Sequence, residues 1–123
     1  MKRGEIFFAA LDFGVLYPAR SGEIQKTRPV VVVSNNVANR AAAVVTVVTV
    51  VPLTTSVERV FPFEVLLAAS ATGLSKNRKA MAQQVRTVDK ARLNARAAGA
   101  VQADDMLRLD AALKLHLGLH LGL

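Results

Sequence analysis

The chain has 123 residues, with 16 Lys and Arg against 9 Asp and Glu and a net charge of +7 at neutral pH. At this length a single domain, 1–123, is expected, because a second core would have too little interior to bury. The composition, 52% hydrophobic and 20% charged, is globular, and the lack of cysteine excludes disulfides, thiolate zinc sites and cysteine nucleophiles together.

The N-terminus meets an acid at Glu5 and has only a short apolar run before Asp12, which excludes a signal peptide. Gly4 to Asp12 reads as a first strand with turn-forming ends. Phe13 to Thr27, with Gly14, Pro18, Ser21 and Gly22 around Arg20 and Lys26, reads as a long loop of the kind that carries function. Pro29 to Ser34 holds four valines in a row, a strand buried on both faces and opened by proline. Ser34-Asn35-Asn36 supplies a cap for one helical turn over Asn36 to Arg40.

The longest uncharged stretch, Ala41 to Val57, holds Pro52 and five Thr or Ser residues among valines. It reads as a strand, Ala43 to Val51, that Pro52 ends, and not as a membrane span. Arg59 to Leu67 is expected as a fourth strand with an edge or bulge at Pro62. A turn follows through Thr72-Gly73, and the alternation from Lys79 to Val88 predicts one fifth strand. Leu93 to Val101 gives a short strand around Gly99. Met106, Leu109, Leu113 and Leu117 mark the apolar face of a terminal helix that Gly118 ends. The two histidines, His116 and His120, fall at its end and in the tail, where no carboxylates accompany them as metal ligands. Strands followed by one helix, without βα alternation, indicate an α+β, mainly β, antiparallel barrel or coiled sheet.

Residues 1–101 hold 14 Lys and Arg against 6 acids, and residues 102–123 hold 2 against 3. The basic surface therefore belongs to the sheet and its loops and suits a polyanion, nucleic acid first. Stacking aromatics are few: Phe13 and Tyr17 fall in the long loop, and the remaining rings read as core. The expected protein is cytoplasmic, with no membrane contact.

Several segments, in order, resemble the MazF/PemK family, the toxin half of prokaryotic toxin–antitoxin pairs. They are Lys2-Arg3-Gly4-Glu5-Ile6, Gly22-Glu23-Ile24, Lys26-Thr27-Arg28-Pro29 with Val30 to Val33, and Val50-Val51-Pro52-Leu53-Thr54. Ser34-Asn35, Thr72-Gly73-Leu74, Lys79-Ala80 and Gln84-Val85-Arg86-Thr87-Val88-Asp89-Lys90-Ala91-Arg92-Leu93 complete the set. The resemblance implies a Src-homology-3-like antiparallel barrel of the MazF/CcdB toxin type with a C-terminal helix. It also implies a homodimer, a cognate antitoxin, and endoribonuclease activity on single-stranded RNA without a metal or other cofactor. Arg28 matches the family's Arg-Pro arginine, assigned to acid–base chemistry and phosphate stabilisation. Thr54 matches the threonine assigned to the scissile phosphate, Glu23 a loop acid, and Gln84 a glutamine near bound RNA. Tyr17, Arg20 and Lys26 join Gln84 as expected RNA-binding residues on the basic loop. Leu11 to Ser21 departs from the family's Asp-Leu-Asp-Pro and Gly-Ser-Glu pattern, so cleavage specificity does not carry over.

Without a metal, RNA is cut by its own 2′-hydroxyl, which loses a proton while the leaving 5′-oxygen gains one. The charge on the phosphorane must be stabilised, and a guanidinium does this through its fork of donors. A guanidinium is a poor base, since its pKa lies above ~12. Arg28 is therefore read as stabiliser and proton donor, with Glu23 as the helper for proton removal or for holding Arg28. By composition alone these four are a surface arginine, a turn threonine, a loop acid and a strand glutamine, and the family pattern selects them. Two alternatives stand beside the nuclease: a non-catalytic toxin of the same fold that binds a protein target such as DNA gyrase, and a plain RNA-binding barrel.

Overall fold

The computed structural model describes residues 1–10, 27–41 and 44–119. Seven strands and three helices are seen among them: β1 (Glu5–Ala10), β2 (Thr27–Val32), α1 (Asn36–Arg40), β3 (Val47–Thr54), β4 (Glu64–Leu67), α2 (Ala69–Thr72), β5 (Arg78–Met81), β6 (Arg86–Asp89), β7 (Gly99–Ala100) and α3 (Ala103–Leu117). The sheet runs β4-β5-β3-β2-β1-β7, with β6 also on β3, and every pairing is antiparallel.

The valine run of β2 divides between two cores by simple alternation. Val31 and Val33 join Ile6, Val51 and Leu53 in one cluster, which α3 closes with Leu109 and Ala112. Val30 and Val32 join Phe7, Ala9, Val48, Val50 and Val88 on the other face. Burial on both faces, expected from four unbroken valines, is what the coiled sheet provides. Leu109 is fully buried, and withdrawing it from water contributes about 1.5–3 kcal/mol to docking the helix. Arg3 adds a polar tie: its guanidinium pairs with Asp110 on α3, while its Nε donates to the Val33 carbonyl at 2.8 Å.

Helix α1 has the expected bounds, with the Asn35 side chain accepting from the Ala38 N–H at 2.9 Å. Helix α3 ends at Gly118, whose φ of +69° suits glycine. Its packed face differs from expectation: Asp105, Leu109 and Ala112 are buried, Met106 and Leu113 flank them, and Leu117 is exposed.

Strand boundaries also differ: the strand expected from Ala43 begins at Val47, and the one expected over Leu93 to Val101 is confined to Gly99–Ala100. Pro52 does not end β3, which continues to Thr54. The Lys79–Val88 strand is broken by a 3-10 turn over Ala82–Gln84. Both differences have one cause. β3 pairs with β6 through Val50 and with β5 from Leu53, so the break lies beside Val51 and Pro52, and Pro52 has no N–H to offer a ladder. The Arg59–Leu67 strand begins only at Glu64, because Pro62 occupies the second position of a β-turn closed by the Glu64 N–H on the Phe61 carbonyl at 2.9 Å.

Gly99 allows β7 to pass against α2. A Cβ there would lie 2.3 Å from the Thr72 carbonyl oxygen, a backbone atom that cannot swing aside. Gly99→Ala is expected to destabilise the fold by about 1–3 kcal/mol, as overpacking does. A lowered denaturation midpoint with an unchanged slope checks this, and an unchanged midpoint would show the contact to be slack.

Candidate active site

Arg28 and Thr54 both lie just past the end of the β2–β3 ladder. Val32 faces Val50 and Val30 faces Pro52; Arg28 comes two residues before Val30 on β2, and Thr54 two residues after Pro52 on β3. The β2–β3 ladder itself stops at Val30 and Pro52, and beyond it β3 pairs with β5 through Leu53–Ala80 and Thr54–Lys79. Ala9 faces Arg28 across β1 and β2, and Thr54 faces Lys79, which faces Leu66, across β3, β5 and β4. Residues in one cross-strand row share a face. Val31, Val33, Val51 and Leu53 turn toward α3, so Arg28 and Thr54 belong to the alternate set.

Each residue is positioned by its neighbours. Arg28 is half-buried, across from the fully buried Ala9 and just before Pro29, which keeps its backbone extended. Thr54 is half-buried at the last position of β3, and its Oγ1 accepts from the Ser56 N–H at 3.2 Å. That bond engages a lone pair and leaves the hydroxyl hydrogen to donate. Gln84 is half-buried in the 3-10 turn beside β3, and not on a strand as expected. Glu23, Tyr17, Arg20 and Lys26 lie outside the described residues.

Sequence reading missed the buried ion pair that Lys79, opposite Thr54, makes with Glu64. The Lys79 amine donates to Glu64 Oε1 at 3.0 Å and to the Arg59 carbonyl at 2.6 Å. Glu64 also accepts from the Phe61 N–H at 3.0 Å and from Gln83 Nε2 at 2.8 Å. Burial, the largest influence, pushes the Glu64 carboxyl up. The Phe61, Gln83 and Lys79 hydrogen bonds with the lysine charge outweigh it, and the net pKa lies below the ordinary glutamate value. No periodicity links Lys79 to an acid 15 residues earlier; the antiparallel β4–β5 pairing does so, setting Lys79 opposite Leu66, two residues from Glu64 along the same face. Phe61, read as core, is 41% exposed.

Among the described residues, no group of three or more His, Asp and Glu is placed to hold a metal ion. No helix there is long and apolar enough to cross a membrane.

Residues 2–117 match the family described as PemK-like, MazF-like toxin of type II toxin-antitoxin system. The sequence is 47% identical over 121 residues to Endoribonuclease MazF9 of Mycobacterium tuberculosis, covering 97% of this chain and 98% of that protein. It is 30% identical over 122 residues to Endoribonuclease EndoA of Bacillus subtilis, covering 97% and 96%. A solved structure described as an endoribonuclease in complex with its cognate antitoxin from Mycobacterial species is similar with a TM-score of 0.75 at 27% identity, over 99% of each chain. MazF from Deinococcus radiodurans has a TM-score of 0.71 at 24% identity, over 96% of each chain. The antiparallel half-barrel with a C-terminal helix is the fold they share, as expected from the sequence.

Proposed function

The chain belongs to the PemK-like, MazF-like family of type II toxin–antitoxin toxins, and on that premise we propose that it is an endoribonuclease cutting single-stranded mRNA at selected sequences in the cytoplasm, with no metal ion. The placement of Arg28 and Thr54 just beyond the last β2–β3 pair, Val30 and Pro52, and both outside the set of residues turned toward α3, is the observation that supports this reading. A guanidinium and a hydroxyl at neighbouring strand ends suit a single phosphate held between them.

In the proposed reaction the 2′-hydroxyl attacks the adjacent phosphorus as it loses its proton, and the bond to the 5′-oxygen breaks. The products are a 2′,3′-cyclic phosphate and a free 5′-hydroxyl. Arg28 holds the non-bridging oxygens as charge builds and donates toward the leaving oxygen. Thr54 donates a hydrogen bond to the same phosphate. Glu23 is assigned to proton removal or to holding Arg28, and Gln84, Tyr17, Arg20 and Lys26 to the RNA on either side. The whole chain, 1–123, acts as one toxin domain.

A homodimer is part of this proposal. Leu66, Leu107 and Leu115 are 50%, 68% and 44% exposed on β4 and α3, and a cavity of about 600 Å³ lies between these elements. A second copy of the chain would cover apolar surface of this kind. The cognate antitoxin is proposed to cover the basic RNA groove with an extended acidic segment, in competition with RNA.

Incubation with a long mRNA in excess chelator tests the activity. Discrete cuts ending in cyclic phosphate are expected, with no loss of rate on chelation. Activity lost to chelator and restored by magnesium would contradict the metal-free mechanism, and intact mRNA would return the choice to the gyrase-type toxin or the plain RNA binder.

A further inference from the structure

We propose that Phe61, backed by Phe63 and flanked by Arg59, is a stacking platform for a nucleobase next to the scissile phosphate. This rests on the RNA-cleaving reading above. The segment that carries it, residues 55–63, follows Thr54 in the chain, and Lys79, in register with Thr54, contacts both its backbone and its ring.

The ring is exposed and yet fixed. Phe61 stacks on Phe63 with centroids 5.6 Å apart and planes 12° from parallel. The Arg59 guanidinium carbon lies 5.7 Å from the ring centroid and the Lys79 amine 5.8 Å. The backbone is tied on both sides of the ring to the buried ion pair. Lys79 Nζ donates to the Arg59 carbonyl, Glu64 Oε1 accepts from the Phe61 N–H, and the Glu64 N–H closes the Pro62 turn. A salt bridge buried at this edge of the sheet thus immobilises a loop that would otherwise be mobile, and a preorganised aromatic loses little freedom on binding.

Position and chemistry select the occupant. Lys79 stands in register with Thr54, and its amine reaches the Phe61 ring, so the platform lies on the Thr54 side of the sheet. An exposed guanidinium lying over a partly exposed ring offers a base a cationic stacking surface and its phosphate a partner, the combination used for unpaired nucleotides.

The test uses an uncleavable RNA spanning a site that the wild-type protein cuts in long mRNA, with a fluorescent purine analogue walked across it. Wild type and Phe61→Tyr should quench the analogue at one position flanking the cut. Phe61→Leu, with an unchanged unfolding midpoint, should lose the quench and bind roughly ten-fold more weakly. Its cleavage should show a raised KM with kcat less affected. If wild type cuts and Phe61→Leu binds and quenches like it, the platform is wrong and the nuclease reading stands. If Phe61→Leu weakens only an acidic protein inhibitor, the patch is a protein-docking surface and the proposal falls. If wild type neither cuts nor binds RNA, both readings fall.

Discussion

Arg28→Ala is expected to slow RNA cleavage by ~10²–10³-fold, the typical loss when one preorganised charge donor is removed. The fold should survive, because Arg28 is the second residue of β2 and the ladder to β3 begins only at Val30. Binding of uncleavable RNA should weaken less than the rate, since the guanidinium matters most when charge has built on the phosphorane. Arg28→Lys should recover only part of the loss, as an ammonium keeps the charge without the fork. Single-turnover rates at saturating enzyme, measured beside thermal unfolding, check both halves. A wild-type rate in Arg28→Ala would remove the residue from the site.

The largest effect on stability is expected at Lys79. Its side chain is 10% exposed and that of its partner Glu64 2%, so Lys79→Met leaves a carboxylate buried without its cation. Breaking one side of such a pair costs about 3–5 kcal/mol. The Phe61 and Gln83 bonds to Glu64 remain, which places the loss near the lower end, about 3 kcal/mol. The pH dependence has a definite sign. Glu64 titrates below its ordinary value in the folded protein, so its stabilisation is complete above the unfolded pKa and is lost as pH falls through the lowered folded one. In Lys79→Met the protonated carboxyl is the favoured buried form, so on acidification the gap between the two proteins should begin to narrow above the ordinary glutamate pKa and go on narrowing as pH falls through the lowered wild-type one. Denaturation midpoints across pH 3–7 check this, and a constant gap would mean that packing alone is lost.

Where local pattern suffices, sequence and structure agree. The valine run of β2, the Asn35 cap of α1 and Gly118 after α3 each depend on a few adjacent residues. The differences arise where distant segments decide. Pro52 lies inside β3 because neighbouring strands change partners there, and the 3-10 turn over Ala82–Gln84 answers to the same change. Phe61 is exposed because the Pro62 turn, set by contacts with Glu64 and Lys79, replaces half of an expected strand. Arg28 and Thr54 were legible only through the family's motifs, since neither residue type is distinctive alone. Their juxtaposition needs the β2–β3 register, which alternation alone leaves free to slip.

Joint action of Arg28 and Thr54 on one phosphate is tested most directly by single-turnover cleavage across Arg28→Ala, Thr54→Ala and the double variant. Groups that serve the same transition state are strongly non-additive. The double variant should cut little more slowly than Arg28→Ala, with products from every active form ending in cyclic phosphate. Fully additive losses, or wild-type rates in both single variants, would contradict a shared site at these strand ends.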